Sequence, residues 1–163
     1  NAILGLERDT LAHPITAHTR IFALVELMKT ETAGGERLID NPIYKDRLMK
    51  IQGRVLAMKY NDMRVLSSRL NPGQDASLSR MITKLQGTEL RHELEGLAID
   101  IMGEVGLSYD DNPHLRGAGS WQREYMYYLG LIIGGGTSQI QKNIISERGL
   151  GMPREPKIEK KAV

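Results

Sequence analysis

The chain has 163 residues, 40% of them hydrophobic and 26% charged, so it can form one domain with a buried core, and neither a disordered nor a fibrous protein fits. The absence of cysteine excludes disulfide bonds, thiolate metal sites and cysteine nucleophiles. A formal charge of +2 and 5% aromatic residues do not indicate nucleic-acid binding, and the longest apolar run, residues 126–133, is too short to span a membrane.

The first half of the chain predicts two helices, each with a recognisable start and end. The first begins near Pro14, because proline is tolerated in a first helical turn, and it ends at residues 33–35, where two glycines follow an alanine. The second begins with Asn41 as the cap and Pro42 at the first helical position, and it ends at Leu70, before an Asn-Pro-Gly turn. The apolar residues expected to face the core are Ile15, Ile21, Phe22, Leu24, Val25 and Met28 in the first helix, and Tyr44, Leu48, Ile51, Val55, Leu56, Met58, Met63 and Leu66 in the second.

The second half predicts one long helix and a shorter pair. The third helix extends from Ser77 to about Met102, and its expected inward residues are Leu78, Met81, Ile82, Leu85, Leu94, Leu97 and Ile101. Residues 107–120 are polar and predict a loop, followed by a fourth helix at 121–133 and a fifth at 138–148, capped by Thr137 or Ser138.

No alternating strand pattern competes with these helices, so we expect an all-α fold. The connections predict an antiparallel, up-and-down bundle of three long helices plus a C-terminal helix pair. We expect one domain at residues 1–153, followed by a flexible basic tail at residues 154–163.

Three glycines followed by hydroxyl residues, at positions 134–138, form the stretch most informative about chemistry. They predict unpaired backbone N–H groups at the positive end of a helix, which suits a phosphate or a developing oxyanion. A P-loop is excluded, because no Gly-Lys-Ser or Gly-Lys-Thr follows at the required spacing. From the residues alone, an ordinary turn between two helices is the alternative.

Two further groups of polar residues could carry chemistry. The pair Glu7-Arg8 precedes the first helix, and it is either a solvated charge pair or, if Glu7 faces a cleft, the place of a general base. Glu89 and His92 match the Glu-x-x-His spacing of di-metal helix bundles. Such a site needs a second motif of this kind, and the other histidines stand in no similar context, so we predict no metal site.

Residues 135–154, Gly-Gly-Thr-Ser-Gln-Ile-Gln-Lys-Asn-Ile-Ile-Ser-Glu-Arg-Gly-Leu-Gly-Met-Pro-Arg, resemble the C-terminal signature of the flavin-dependent acyl-CoA dehydrogenases. Residues 6–8, Leu-Glu-Arg, resemble the start of that family's C-terminal domain, and the predicted helix order between these segments fits it. The N-terminal helical and middle β domains of the family have no counterpart here. We therefore expect an excised or truncated C-terminal domain, inactive when isolated, which explains why residue 1 is not methionine.

The resemblance also implies a reaction. The family removes the α-proton of an acyl-CoA thioester while the β-hydrogen leaves as hydride to FAD, which requires a carboxylate base and donors to the thioester oxygen. Many members carry a glutamate base where this chain has Gly135, whereas a minority carry it at the start of the first helix, opposite a glycine. Glu7 with Gly135 is that combination, so we expect Glu7 to be the base and Gly135 to supply space and a backbone N–H. The expected substrate-binding residues are Arg8 and Gly136.

FAD is the cofactor that the resemblance implies. Thr137 and Gln139 match positions that hold FAD in the family, and the segment at residues 100–106 matches the family's Gln-x-x-Gly-Gly-x-Gly, of which Gly103 and Gly106 are kept. Aspartate replaces the glutamine and glutamate replaces one glycine, which adds negative charge where a pyrophosphate would lie. The family's Arg-x-x-Phe-Gly element at the end of the first helix is Thr-Glu-Thr-Ala-Gly at residues 30–34, without arginine.

Partners and alternatives follow from the same resemblance. We expect an acyl-CoA substrate, an electron-transfer flavoprotein as electron acceptor, a homo-oligomer (dimer or tetramer) or a related subunit, and a cytoplasmic location. Fatty, branched, aromatic and steroid side-chain thioesters are all candidate substrates. Two alternatives stay open, namely a flavin-free domain that serves only in assembly, favoured by the altered segment at residues 100–106, and a di-metal bundle.

Overall fold

The computed structural model describes residues 14–71, 73–109, 112–154 and 156, and these residues are mostly helical. The α-helices in the described part are α1 (Pro14–Thr30), α2 (Pro42–Leu70), α3 (Ser77–Met102), α4 (Ser120–Ile133) and α5 (Ser138–Ile144). Two 3₁₀ segments, Gly103–Leu107 and Arg116–Gly119, lie between α3 and α4, and a π-helical turn, Ile145–Gly149, continues α5. The predicted all-α fold is confirmed.

Side-chain contacts between α2 and α3 show that these helices run in opposite directions. Arg47, near the start of α2, donates to Asp100 near the end of α3 at 2.7 Å. Asn61, in the second half of α2, donates to Thr83 near the start of α3 at 3.2 Å. Since α1 is joined to α2 by a short connection and also runs against it, α1 and α3 are parallel.

A two-stranded hairpin follows α1 and was not predicted. Strands β1 (Thr32–Ala33) and β2 (Glu36–Arg37) pair antiparallel. The turn between them has positive φ at both central residues, +59° at Gly34 and +85° at Gly35, which is the conformation of tight hairpin turns. Strands of two residues are too short to give an alternating pattern, so the sequence indicated only that the helix ends here.

The predicted start of α2 is confirmed in detail. The Asn41 side-chain oxygen accepts the backbone N–H of Ile43 at 3.0 Å and that of Tyr44 at 3.4 Å, while Pro42 stands at the first helical position. These bonds satisfy N–H groups that have no partner within the helix. They fix where the 29-residue helix begins.

The start of α3 is held by a carboxylate that the sequence pattern did not single out. Asp75 accepts the backbone N–H of Ser77 at 2.8 Å and its hydroxyl at 3.0 Å. The backbone hydrogen bond, followed by the hydroxyl bond, lowers the pKa of Asp75 from its ordinary value. The ionised form of this carboxyl group therefore stabilises the first turn of α3.

The core lies between α1, α2 and α3 and is closed by Trp121 of α4. Its buried apolar residues are Ala17, Ile21, Leu24, Leu27, Met28, Leu38, Leu48, Ile51, Val55, Met58, Leu90, Leu94, Leu97, Ala98, Ile101, Met102 and Trp121. Burial of this apolar surface is the main force that holds the bundle together.

Several residues expected to face the core are exposed instead, namely Ile15, Phe22, Leu56, Met63, Leu66 and Leu78. The geometry of the helix explains part of this error. Consecutive residues lie about 100° apart around a helix axis, so where only a narrow side of a helix is covered, one of two neighbours points away from the core. The structure buries Ile21 rather than Phe22, and Val55 rather than Leu56.

The predicted tail, residues 154–163, lies outside the described residues except for positions 154 and 156. Arg154 contacts Glu147 at 3.3 Å, which draws the start of this segment toward the π-helical turn. Within the described residues, no helix combines the length and the apolar character that crossing a membrane requires.

Candidate active site

The glycine turn, residues 134–136, connects α4 to α5. Gly135 has φ +64° and Gly136 has φ +108°, values that side-chain-bearing residues rarely adopt. A Cβ atom at Gly136 would also lie 2.9 Å from Nε2 of Gln141. Gly136 is therefore required by the turn itself, whereas a side chain at position 135 would cost the strain of a left-handed backbone.

The expectation of unpaired N–H groups in this turn is wrong in part. The N–H of Gly134 donates to the Gly130 carbonyl at 3.0 Å, and that of Gly136 donates to the Ile133 carbonyl at 3.3 Å. These bonds close the end of α4, because a chain leaving a helix turns back on its last carbonyls. The structure thus makes the turn a defined connection rather than an open cradle of donors.

Thr137 caps α5, as the sequence predicted. Its hydroxyl oxygen accepts the backbone N–H of Ile140 at 3.4 Å. Thr137 is half-buried, and Gln139, two residues further, is exposed. Both residues predicted to hold the cofactor therefore stand beside the glycine turn, and the Gln139 side chain can reach a group outside this chain.

Two side chains of α3 form hydrogen bonds with the glycine turn and with the residues that flank it. Lys84, with 2% of its surface exposed, donates from Nζ to the carbonyl of Ile132 at 2.9 Å and to that of Gly136 at 2.6 Å. Glu89 accepts the hydroxyl of Ser138 at 2.7 Å. The turn is thus anchored on both sides to a buried helix.

Glu7 and Arg8, the predicted base and its neighbour, lie outside the described residues, so their place stays a prediction. The described part of α1 shows at which level of α3 this helix begins. Arg20 of α1 bonds Glu95 of α3, and Glu89 lies six residues before Glu95, as Pro14 lies six residues before Arg20. Because α1 and α3 are parallel, α1 begins at the level of Glu89. The start of α1 therefore lies at the level at which α3 contacts Gly136 and Ser138.

Gly103 and Gly106, also predicted to bind the cofactor, lie at the other end of α3. Nineteen residues separate Lys84 from Gly103, which corresponds to about 28 Å along a helix. Gly106 is buried, and a Cβ atom there would lie 2.3 Å from the Ile99 carbonyl oxygen. The structure therefore gives Gly106 a packing role and separates the predicted cofactor residues into two groups.

Two acidic residues near this end of α3 are paired with arginines. Asp100 accepts from Arg47, and Glu31 accepts from Arg116. The hydrogen bond and the charge of Glu31 raise the pKa of Arg116, so the guanidinium stays charged. Of the two acidic residues that add negative charge to the segment at residues 100–106, Asp100 is therefore paired and Glu104 is exposed.

A buried polar atom beside Gly106 fits a bound polar group. Gln122 is buried, and its Nε2 donates to the Val105 carbonyl at 3.2 Å. Its Oε1 has no hydrogen-bond partner among the described residues. Because buried acceptors are normally satisfied, a donor from a ligand or a second chain would complete this side chain.

Glu89 and His92 do not form a metal site in the described part of the chain, where no group of three or more potential ligands comes together. Glu89 is bonded to Ser138. His92 stacks on Tyr125 with ring centroids 4.3 Å apart, and its Nδ1 lies 3.1 Å from the Tyr125 carbonyl oxygen. Glu89 therefore contacts α5 and His92 contacts α4, so each side chain has a packing or hydrogen-bonding role that involves no metal.

The structure also contains a buried ionic cluster that the sequence analysis missed. Glu95 is fully buried and accepts hydrogen bonds from Arg20 of α1 and from Arg91 one turn earlier in α3. Arg91 also reaches Glu124 of α4 at 3.2 Å, and the Arg20 guanidinium lies 3.4 Å from the ring centroid of Trp121. The side chains of this cluster link helices α1, α3 and α4.

A signal for these buried charges was present in the sequence. Lys84, Arg91 and Glu95 stand among apolar residues of α3 at spacings of a helical turn, where a solvated charge would not be expected. Such a residue on an inward face must have a partner. The partners themselves could not be predicted, because Ile132 lies 48 residues from Lys84 and Arg20 lies 75 residues from Glu95.

Comparisons with known proteins identify the family. A family model described as the acyl-CoA dehydrogenase C-terminal domain matches residues 2–150. The acyl-CoA dehydrogenase IpdE1 of Mycobacterium tuberculosis (strain ATCC 25618 / H37Rv) is 32% identical over 160 residues, covering 96% of this chain and 38% of that protein. The acyl-CoA dehydrogenase IpdE1 of Mycolicibacterium smegmatis is 34% identical over 134 residues, covering 82% of this chain and 30% of that protein.

Solved structures agree with this result. A chain of the ChsE4-ChsE5 complex from Mycobacterium tuberculosis aligns with a TM-score of 0.75 and 27% identity, covering 88% of this chain and 37% of that one. An acyl-CoA dehydrogenase from Geobacillus kaustophilus aligns with a TM-score of 0.72 at 22% identity, covering 91% of this chain and 37% of that one, and supports the fold. The chain spans less than two fifths of the length of these relatives. It belongs to the acyl-CoA dehydrogenase family, as that family's C-terminal domain.

Proposed function

We propose that this domain is part of an FAD-dependent enzyme that desaturates an acyl-CoA thioester between its α and β carbons, with Glu7 as the base. One observation carries the proposal. The glycine turn, with Gly135 where many members have glutamate, contacts the first half of α3, and α1 begins at the level of that contact. A glutamate seven residues before α1 can therefore reach the site that the missing side chain leaves open.

The chemistry assigns one task to each group. The Glu7 carboxylate takes the α-proton, and Gly135 leaves room for the thioester at the turn. FAD, when bound, supplies the acceptor for the β-hydrogen as hydride. Arg8 orients Glu7 or contacts the CoA part of the substrate, and Gly136 lines the site that binds the thioester. Loss of one proton and one hydride leaves the α,β-unsaturated thioester.

The cofactor residues support an assembly of more than one chain. Thr137 and Gln139 flank Ser138, which contacts Glu89, and Glu89 lies about 21 Å along α3 from Gly103. The two groups would therefore hold separate parts of a cofactor or cofactors of two copies. A chain of the ChsE4-ChsE5 complex is among the structural neighbours, which supports association with a like or related subunit. We propose a homo-oligomer or a pair with a related chain, reoxidised by an electron-transfer flavoprotein.

The second candidate function is a flavin-free domain that serves only in assembly. The observation that favours it is Glu104, an exposed acid in the turn where the family carries a glycine. The arginine partner of Asp100 argues against it, because Arg47 offsets one of the two negative charges that would repel a pyrophosphate.

The absorption spectrum of the full-length protein distinguishes these functions. A purified protein with the bands of oxidised flavin, bleached anaerobically by one of butyryl-, octanoyl-, isobutyryl-, phenylpropionyl- or steroid side-chain CoA, supports the dehydrogenase. A folded, oligomeric protein that takes up no FAD on incubation with excess cofactor would instead support the assembly domain. The panel also identifies which class of acyl group is accepted.

A further inference from the structure

Lys84 is a charged residue in an unusual place. It belongs to the central helix α3, its neighbour Leu85 is buried, and only 2% of its own surface is exposed. Removing an ammonium group from water is costly unless hydrogen-bond acceptors replace the water. A Leu or Met would fill such a position without this cost, so the lysine calls for a specific explanation.

Two backbone carbonyls that accept from Lys84 stand on either side of Gly135. Ile132 is in the last turn of α4, whose carbonyls have no partner within the helix, and a cation is favourable at such an end. Gly136 is the last residue of the turn, directly before the cap of α5. One ammonium group therefore holds both ends of the segment that contains Gly135.

Further bonds leave the turn little freedom to move. Gln141 of α5 donates from Nε2 to the Gly135 carbonyl at 2.8 Å. Glu89, five residues after Lys84 on α3, accepts the Ser138 hydroxyl at 2.7 Å. The direction of the Gly135 peptide is thus set by side chains of helices α3 and α5, not by the glycines alone.

We infer that Lys84 is a positioning residue for the proposed reaction: its bonds to the Ile132 and Gly136 carbonyls hold the Gly135 peptide against the thioester. The inference rests on the proposed function. A displacement of about 1 Å of a positioned group can cost 10²-fold in rate, because the reacting groups are then misaligned in the transition state. Loss of Lys84 should accordingly slow the chemical step more than it weakens binding.

The test compares Lys84→Met with Lys45→Met in the full-length protein. Methionine keeps the length of the side chain without the charge or the donors, and Lys45 is an exposed lysine on α2, remote from the glycine turn. At saturating acyl-CoA, taken from the panel above, we expect the rate constant of flavin reduction to fall about 10-fold or more in Lys84→Met. FAD content and the Kd for acyl-CoA should stay within about 3-fold of wild type, and Lys45→Met should match wild type throughout.

Hydrogen exchange gives a readout that does not require activity. In Lys84→Met, the amides of residues 135–138 should exchange at least about 10-fold faster, while those in the middle of α2 keep their protection. If the wild-type protein reduces no flavin with any acyl-CoA, the proposed function fails, and this exchange pattern alone decides whether Lys84 holds the turn. Unchanged exchange at residues 135–138 would overturn the inference.

A second variant covers a failure to fold. Lys84→Gln is neutral but keeps an N–H donor, and it is measured in the same way if Lys84→Met does not fold. A folded variant that reduces flavin within twofold of the wild-type rate would overturn the inference, as would equal losses in Kd and in rate. If neither variant folds, Lys84 is a determinant of folding, and the positioning role is rejected.

Discussion

Replacing Glu95 with alanine should destabilise the bundle more than any exposed charge replacement. Glu95 is fully buried and accepts five hydrogen bonds of 2.8–3.2 Å from the guanidinium groups of Arg20 and Arg91. Without the carboxylate, Arg91 keeps its contact with Glu124 at 3.2 Å and its position 4.5 Å from the ring centroid of Tyr128, and only 8% of its side chain is exposed. Two like charges then face each other with little water to screen them.

The expected loss follows from this geometry. Removing one partner of a buried, hydrogen-bonded ion pair costs about 3–5 kcal/mol. Arg20 moderates the loss, because 19% of its side chain is exposed and its guanidinium still stacks on Trp121. A loss of about 4 kcal/mol corresponds to a fall in Tm of roughly 8–16 °C for a chain of this length.

Urea unfolding of the 163-residue chain, followed by far-UV circular dichroism, measures this loss directly. Asp46→Ala is the matched control, because Asp46 pairs with Lys50 at 2.7 Å in an exposed position one helical turn away. That pair should contribute only about 0.3–0.5 kcal/mol. If Glu95→Ala and Asp46→Ala lie within about 1 kcal/mol of each other, the buried cluster does not hold the three helices as described.

Two further predictions concern the ends of α3. Asp75→Asn should lower the thermal stability at neutral pH. Because folding lowers the pKa of Asp75, the contribution of its carboxylate is complete above the unfolded-state pKa and is lost as the pH falls through the folded-state pKa. The difference in Tm between the variant and wild type should therefore vanish in acid. A difference that does not change with pH would contradict this. Gly106→Ala should destabilise the FAD-free chain by about 1–3 kcal/mol through the clash with the Ile99 carbonyl, whereas Gly53→Ala, in an open position within α2, should stabilise it by about 0.5–1 kcal/mol. Equal unfolding midpoints for these two variants would show that a side chain at position 106 does not lower the free energy of unfolding.

Local rules predicted the helix boundaries well. Asn41 and Thr137 both cap the helices that follow them, because a side-chain acceptor next to a helix start is a matter of a few residues. The direction of the apolar faces was predicted less well. Apolar spacing identifies residues that avoid water but not what covers them, and Phe22 and Met63 are exposed in this chain.

The candidate site was predictable where it depends on backbone conformation. Consecutive glycines followed by threonine indicated a turn and a cap, and the structure has both. Lys84 was not predicted, because lysine is usually a surface residue and its acceptors are backbone carbonyls about fifty positions away. A contact of this kind depends on how the helices pack, which no local pattern in the sequence encodes.

The central claim is that Glu7 removes the α-proton at a site opened by Gly135. Anaerobic stopped-flow reduction of the flavin by acyl-CoA tests it in full-length Glu7→Gln, which keeps the size and hydrogen bonding of the side chain but loses the basic oxygen. We expect the rate constant to fall about 10²–10⁴-fold with FAD and ligand still bound. Adding Gly135→Glu to this variant should restore part of the rate, since many family members carry the base there. Flavin reduction at a near-normal rate in Glu7→Gln would contradict the account.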